Sequence, residues 1–123
     1  MNPMLQGCGA TLHLISPSGS RDVAAGDFFL SYRKTAAQAD ELIESVTIPF
    51  TREFEFVMPA KQARRREDDI SIVTAGLRIL LAPDNEANGW RVSDVALSFG
   101  GMAPITLRAR KTEQFLMGKM WDR

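Results

Sequence analysis

The sequence predicts an α+β fold, an antiparallel β-sheet with a C-terminal amphipathic helix packed on one face. Three observations carry this. Residues 73–81 alternate strictly, with Val73, Ala75, Leu77, Ile79 and Leu81 on one face and Thr74, Gly76 and Arg78 on the other, the period of a half-buried strand. The stretch 83–89, Pro-Asp-Asn-Glu-Ala-Asn-Gly, offers turn residues and no apolar anchor, so 90–99 returns as the partner strand with Val95, Leu97 and Phe99 inward. Ala109, Thr112, Leu116 and Met120 then recur at helical spacing over 107–121, and Phe115, Met117 and Trp121 widen the stripe. Strands grouped ahead of a helix, without βαβ alternation, give the class.

The remaining elements follow in order. Residues 9–15 alternate as a strand, Ser16-Pro17-Ser18-Gly19-Ser20 is a turn cluster, and 21–23 returns as a short antiparallel partner. Asp27 is placed to cap a helical turn at Phe28-Phe29-Leu30. Leu42, Glu44, Val46 and Ile48 define a strand that Pro49 ends, and Phe54, Phe56 and Met58 share one face of the next. Gly100-Gly101 permits a sharp turn into the last helix, where Thr106 is the expected N-cap.

Composition excludes several function classes. The 123 residues fit one domain's worth of chain with a modest core. Fifteen basic and fifteen acidic residues cancel, so no global field recruits nucleic acid or an anionic membrane. The single Cys8 excludes an internal disulfide and any thiolate-ligated cluster, and the lone His13, in an alternating run, reads as a partly exposed strand residue. Residues 1–6 lack the basic and apolar regions of a signal peptide, and no run approaches the roughly 18 apolar residues of a spanning helix. The expected compartment is the cytoplasm, with the peroxisome as alternative.

The segment 61–70, Lys-Gln-Ala-Arg-Arg-Arg-Glu-Asp-Asp-Ile, sets three consecutive cations against three consecutive anions at the mouth of the strongest strand. Such charges stay solvated or meet a ligand, which makes this a loop. A self-neutralising turn and a surface for a charged cofactor are both open on this ground alone.

The string resembles the flavin domain of the eukaryotic xanthine dehydrogenases, members of the molybdenum hydroxylase family, in which a KQAxRRxDDI segment precedes a VxxGxRV strand. Asp27-Phe28-Phe29-Leu30-Ser31-Tyr32-Arg33-Lys34-Thr35 is similar to the family's DxFFxGYRKT segment. Residues 41–50 resemble its E-I-L-L-S-V-x-I-P-x strand, and Ser98-Phe99-Gly100-Gly101-Met102-Ala103-Pro104 its YGGMAP turn. Gly118-Lys119-Met120-Trp121 looks like plant-type members. These ordered motifs span essentially the whole chain.

The resemblance implies that residues 1–52 are the closing strands of an FAD-binding domain and that 53–123 open a CO dehydrogenase flavoprotein C-terminal-like α+β domain. Of the family's TAxPxSDLNP flavin motif only Asn2-Pro3 matches, so a partial FAD site and a fragment of a longer protein are expected. Ile43 and Lys61 fall on positions that contact the flavin. Tyr32 and Asp68 fall on the NAD approach, and Arg65 and Arg66 on a basic pair that fixes the loop when NAD is the acceptor. The implied parent is a homodimeric oxidoreductase of purine catabolism. It oxidises hypoxanthine and xanthine to urate at molybdopterin-bound molybdenum and relays electrons through two iron–sulfur clusters and FAD to NAD; this chain alone would be inactive. The ligands for molybdenum and iron–sulfur lie outside this sequence.

Two other readings stay open. One is the equivalent piece of an aldehyde oxidase, against which Asp68-Asp69 argues, since those enzymes resemble this chain but carry neutral or apolar residues there. The other is a free-standing, non-catalytic binding module.

Overall fold

The computed structural model describes residues 1–67 and 70–122. The chain runs α1 (Asn2–Cys8), β1 (Thr11–Ser16), β2 (Gly19–Ala24), α2 (Ala25–Phe28), β3 (Phe29–Ser31), β4 (Lys34–Thr35) and β5 (Leu42–Thr47). It continues with β6 (Glu55–Gln62), β7 (Val73–Asp84), β8 (Gly89–Gly100), β9 (Leu107–Arg108) and α3 (Arg110–Leu116). All strand pairs are antiparallel, in sheets ordered β2-β1-β5, β3-β4 and β6-β7-β8-β9. The α+β architecture with a C-terminal helix on the sheet is therefore the one the periodicity predicts.

The first sheet closes over Leu12, Leu14, Val23, Ala25 and Phe28, with Leu5 and Phe29 packed against them. Its hairpin follows the predicted pattern, Leu12 opposite Val23 and Ser16 opposite Gly19. The predicted helical turn sits three residues earlier than expected, over Ala25–Phe28, because Phe29–Ser31 pairs with Lys34–Thr35 instead. Asp27 thus lies inside the helix, and its cap position is Ala24.

Helix α1, Asn2–Cys8, has no counterpart in the periodicity of the sequence. Pro3 sits at its start, where a missing N–H costs nothing, and Gly9 closes it in the left-handed conformation at φ 72°. The Thr74, Gly76 and Arg78 face of β7, expected to be partly wet, keeps Thr74 and Arg78 partly exposed, but this helix covers its centre. By strand alternation Gly76, Ala96 and Ser98 share that face, and all three are buried, because α1 lies on it. A Cβ on Gly76 would stand 2.2 Å from the Pro3 carbonyl oxygen, and one on Gly7 would stand 2.8 Å from the Gly76 oxygen. The two backbones touch directly.

The opposite face carries the second core of Leu81, Val92 and Val95, with Ile79, Leu97 and Leu116 against them. Here α3 is shorter than the predicted 107–121. Leu107–Arg108 forms β9 beside β8, so Thr106 caps nothing, and the helix starts after Ala109 without a side-chain cap. Gly118, at φ 74°, turns the chain back so that the Val92 and Trp121 N–H groups reach the Lys119 and Trp90 carbonyls. The backbone gains ladder bonds that a continued helix would forgo. Buried Glu113 fastens the short helix, accepting 2.8 Å bonds from the Leu97 N–H and Arg108 Nε. Phe54, expected in β6, precedes it at φ 59°, and Phe56 and Met58 stay exposed since α3 does not reach them.

Candidate functional site

The N-terminal end of α1 lies between two cavities. The larger, about 530 Å³, is bounded by α1, the β3–β4 hairpin and the loop after β8; Asn2, Arg33, Lys34, Thr74, Gly101 and Thr106 are among its walls. The smaller, about 280 Å³, is lined by Lys61 from β6 together with Met1, Pro3, Met4 and Thr74. Met1, Pro3 and Thr74 belong to both. Lys61 pairs with Thr74 across the β6–β7 ladder, which fixes its backbone beside the start of α1. Gly101, at φ 88°, lets the loop pass against β7: a Cβ there would meet the Ile72 oxygen at 2.2 Å.

The other candidate residues are dispersed around this centre. Tyr32 and Arg33 form the β3–β4 turn, Arg33 in the left-handed region at φ 59°, and Tyr32 is 74% exposed. The Tyr32 ring belongs to neither core of this chain. Ile43, half exposed on β5, pairs with Leu14 and lines neither cavity. Arg65 and Arg66 are exposed in the loop after β6 and line neither cavity. Asp68 lies outside the described residues, as does Asp69. Among the described residues no group of three or more His, Cys, Asp or Glu side chains could hold a metal ion.

The donor set suits a polar, anionic cofactor such as FAD. Lys61 supplies a cation, Asn2 and Thr74 neutral donors, and the glycines at 100 and 101 let backbone approach closely. A Gly100 Cβ would fill space next to Thr74 Oγ1, at 2.8 Å.

The α1–sheet junction is held from its far end by an ion network that sequence reading missed. Arg78 Nε donates to the Gly7 carbonyl at 3.0 Å, while its Nη1 lies 2.5 Å from Glu55 and 2.8 Å from Asp94. Arg52 reaches the same two carboxylates from outside, at 3.1 and 3.3 Å. The signal available was one arginine amid apolar strand residues, but its partners come from β6 and β8 and need the register. Hydrogen bonds from the Arg52 side chain, its N–H and Arg78 hold the Glu55 carboxyl at about 2, against the upward push of burial. Burial likewise pushes Asp94 up, but Arg78 outweighs it and keeps Asp94 below its ordinary value.

Because the folded value of Glu55 lies below its ordinary 4.5, its stabilisation is complete above pH 4.5 and is lost as pH falls through about 2. Glu41, held at about 2 by Arg21 and the Gln38 N–H, acts in the same window. Urea titrations at pH 2, 3, 4.5 and 7 should show stability falling only below about 4.5. Glu55→Gln should flatten that acid limb, and an unchanged limb would put the acid sensitivity elsewhere.

A second unforeseen network crosses the first sheet. His13 Nδ1 lies 2.6 Å from Asp22 and Nε2 2.7 Å from Thr47 Oγ1, tying β2 and β5 across β1. With Nδ1–H donating to the carboxylate, Nε2 accepts the threonine hydroxyl. His13 is the partly exposed strand residue the sequence predicts, fastened on both sides.

Residues 60–123 match the model of the CO dehydrogenase flavoprotein C-terminal domain, and residues 1–51 match that of the FAD binding domain in molybdopterin dehydrogenase. The chain is 46% identical to a xanthine dehydrogenase of Oryza sativa subsp. japonica over 123 residues, and 42% identical to xanthine dehydrogenase 1 of Arabidopsis thaliana over 124. It covers 99% and 100% of its own length in these matches and 9% of each relative. Among solved structures, the CO dehydrogenase of Hydrogenophaga pseudoflava superposes with a TM-score of 0.87 at 23% identity over 99% of this chain and 40% of that one. Quinoline 2-oxidoreductase from Pseudomonas putida 86 gives 0.80 at 26% identity, again over 99% and 40%. The match to the C-terminal domain model over more than half its length, joined to the FAD-binding match before it, shows that this chain belongs to the flavoprotein family of the molybdenum hydroxylases.

Proposed function

We propose that this chain forms one wall of the FAD site in a xanthine dehydrogenase that oxidises hypoxanthine and xanthine and passes electrons to NAD. Residues 1–52 belong to the FAD-binding domain and 53–123 to the domain behind it. Lys61 and Ile43 contact the cofactor, Tyr32 and Asp68 border the NAD approach, and Arg65 and Arg66 fix the loop. The observation that carries the reading is the seat of Lys61 beside the start of α1, in a cavity whose walls come from both matched segments.

Bound FAD supplies two-electron redox chemistry; the protein residues bind and orient it. Lys61 provides a positive charge at the cavity wall, and the close α1–β7 contact keeps that wall from shifting. In the parent enzyme the molybdenum and iron–sulfur centres are held by segments other than this one, and the assembly is a homodimer. A nicotinate hydroxylase of Emericella nidulans is also 40% identical to this chain, which makes nicotinate the alternative substrate class.

The test replaces the matching segment of the rice enzyme with these residues and introduces Lys61→Ala. One charge-assisted contact is worth about 1–3 kcal/mol, so flavin affinity should fall roughly 5- to 150-fold. Substrate oxidation measured with an acceptor that draws electrons ahead of the flavin should hold. Equal loss in both assays would make Lys61 a folding residue. Turnover of nicotinate in preference to xanthine by the unsubstituted chimera would favour the alternative substrate.

A further inference from the structure

Arg21, Arg52, Arg78, Arg91, Arg108 and Arg110 each meet a carboxylate. Arg33 and its neighbour Lys34 make no ion pair or side-chain hydrogen bond among the described residues, and both line the 530 Å³ groove. Among the described residues, no carboxylate lines that groove. The Thr35, Thr74 and Thr106 hydroxyls border it as neutral donors, while Phe29 and Ile105 add apolar surface.

Two adjacent cations with no counter-ion among the described residues, bordered by hydroxyls, complement a multiply charged oxyanion better than a single carboxylate. The volume exceeds what a lone phosphate needs and lies within the range of nucleotide sites. The left-handed backbone of Arg33 is a further mark: a non-glycine residue held at φ 59° fixes the direction of the turn that carries both cations.

We propose that this groove binds the phosphate groups of a dinucleotide, with Arg33 and Lys34 as the charged donors. The groove is separate from Lys61, which lines the neighbouring cavity, so the two cation sites flank the start of α1. The identity of the dinucleotide as NAD rests on the function proposed above. The anion site itself does not.

The experiment is an amide-resolved NMR titration of the 123-residue chain with pyrophosphate, and in parallel with NAD and with FAD. Pyrophosphate should give saturable shifts at residues 31–35, 71–74 and 100–106, weakening as salt rises from about 25 to about 250 mM. The pair Arg33→Gln and Lys34→Gln should weaken binding at least tenfold, Arg33→Lys should retain it within about threefold, and Arg64→Gln should leave it unchanged. If NAD shifts the same amides and FAD does not, the groove serves the acceptor; the reverse assigns it to the cofactor and overturns only the NAD identity. Shifts centred on residues 64–67, no saturation with pyrophosphate, or unweakened binding in the folded double variant would each overturn the proposal. Should the double variant not fold, an absent salt dependence in the unsubstituted chain overturns it equally.

Discussion

Gly76→Ala is expected to cost this small chain about 3 kcal/mol and about 10 °C in melting temperature, although the substitution is a single methyl at an ordinary backbone conformation. The added Cβ would lie 2.2 Å from the Pro3 oxygen, 2.4 Å from its carbonyl carbon and 2.6 Å from the Met4 nitrogen. These are backbone atoms, so no rotamer can yield, and α1 must lift off β7. Lifting it uncovers Ser98 and Ala96 and opens the cavity that Lys61 shares with Met1 and Pro3. Gly26→Ala is the control. Its Cβ would meet only the end of the Gln6 side chain at 3.2 Å, inside α2, so it should be neutral or slightly stabilising. Equal melting temperatures for the two variants would mean that α1 does not rest on the sheet as described.

Arg78→Met should be at least as damaging, by about 3–5 kcal/mol, because the side chain is 16% exposed and its loss strands three partners. The Gly7 carbonyl loses its donor, and Glu55 and Asp94 keep only the more exposed Arg52. A carboxylate left without its buried partner is costlier than the pair was favourable. Adding Glu55→Gln to Arg78→Met should therefore recover part of the loss, whereas independent contributions would simply add. Arg78→Lys should fall between, since one ammonium cannot span the three acceptors in the geometry of a guanidinium. Urea unfolding of the four variants measures this, and strict additivity would contradict the network.

The strands were legible because period two survives without knowledge of partners: the hairpin of Leu12 and Val23 and the long pair of β7 and β8 follow directly from alternation and turn residues. What escaped depends on tertiary contact. Residues 2–8 carry no amphipathic stripe, and α1 is recognisable only from Pro3, Gly9 and the small residues Gly76, Ala96 and Ser98 that leave room for it. Periodicity extends the last helix too far because Met117, Met120 and Trp121 fit a helical period, while Gly118 and the free edge of β8 near Trp90 favour a turn and ladder bonds. The family itself was legible from the ordered motifs around Asp27, Glu41, Lys61 and Gly100. The cavity beside Lys61 was not, since it needs α1 against β6 and β7.

If these residues form a wall of the flavin site, the rice enzyme carrying this segment must retain its FAD, and flavin content per protomer is the quantity to measure. The purified chimera should hold near-stoichiometric FAD, and its NAD-linked turnover should track flavin content across Lys61→Ala and Gly76→Ala. A folded chimera that oxidises substrate with an upstream acceptor, yet holds no FAD, would contradict it.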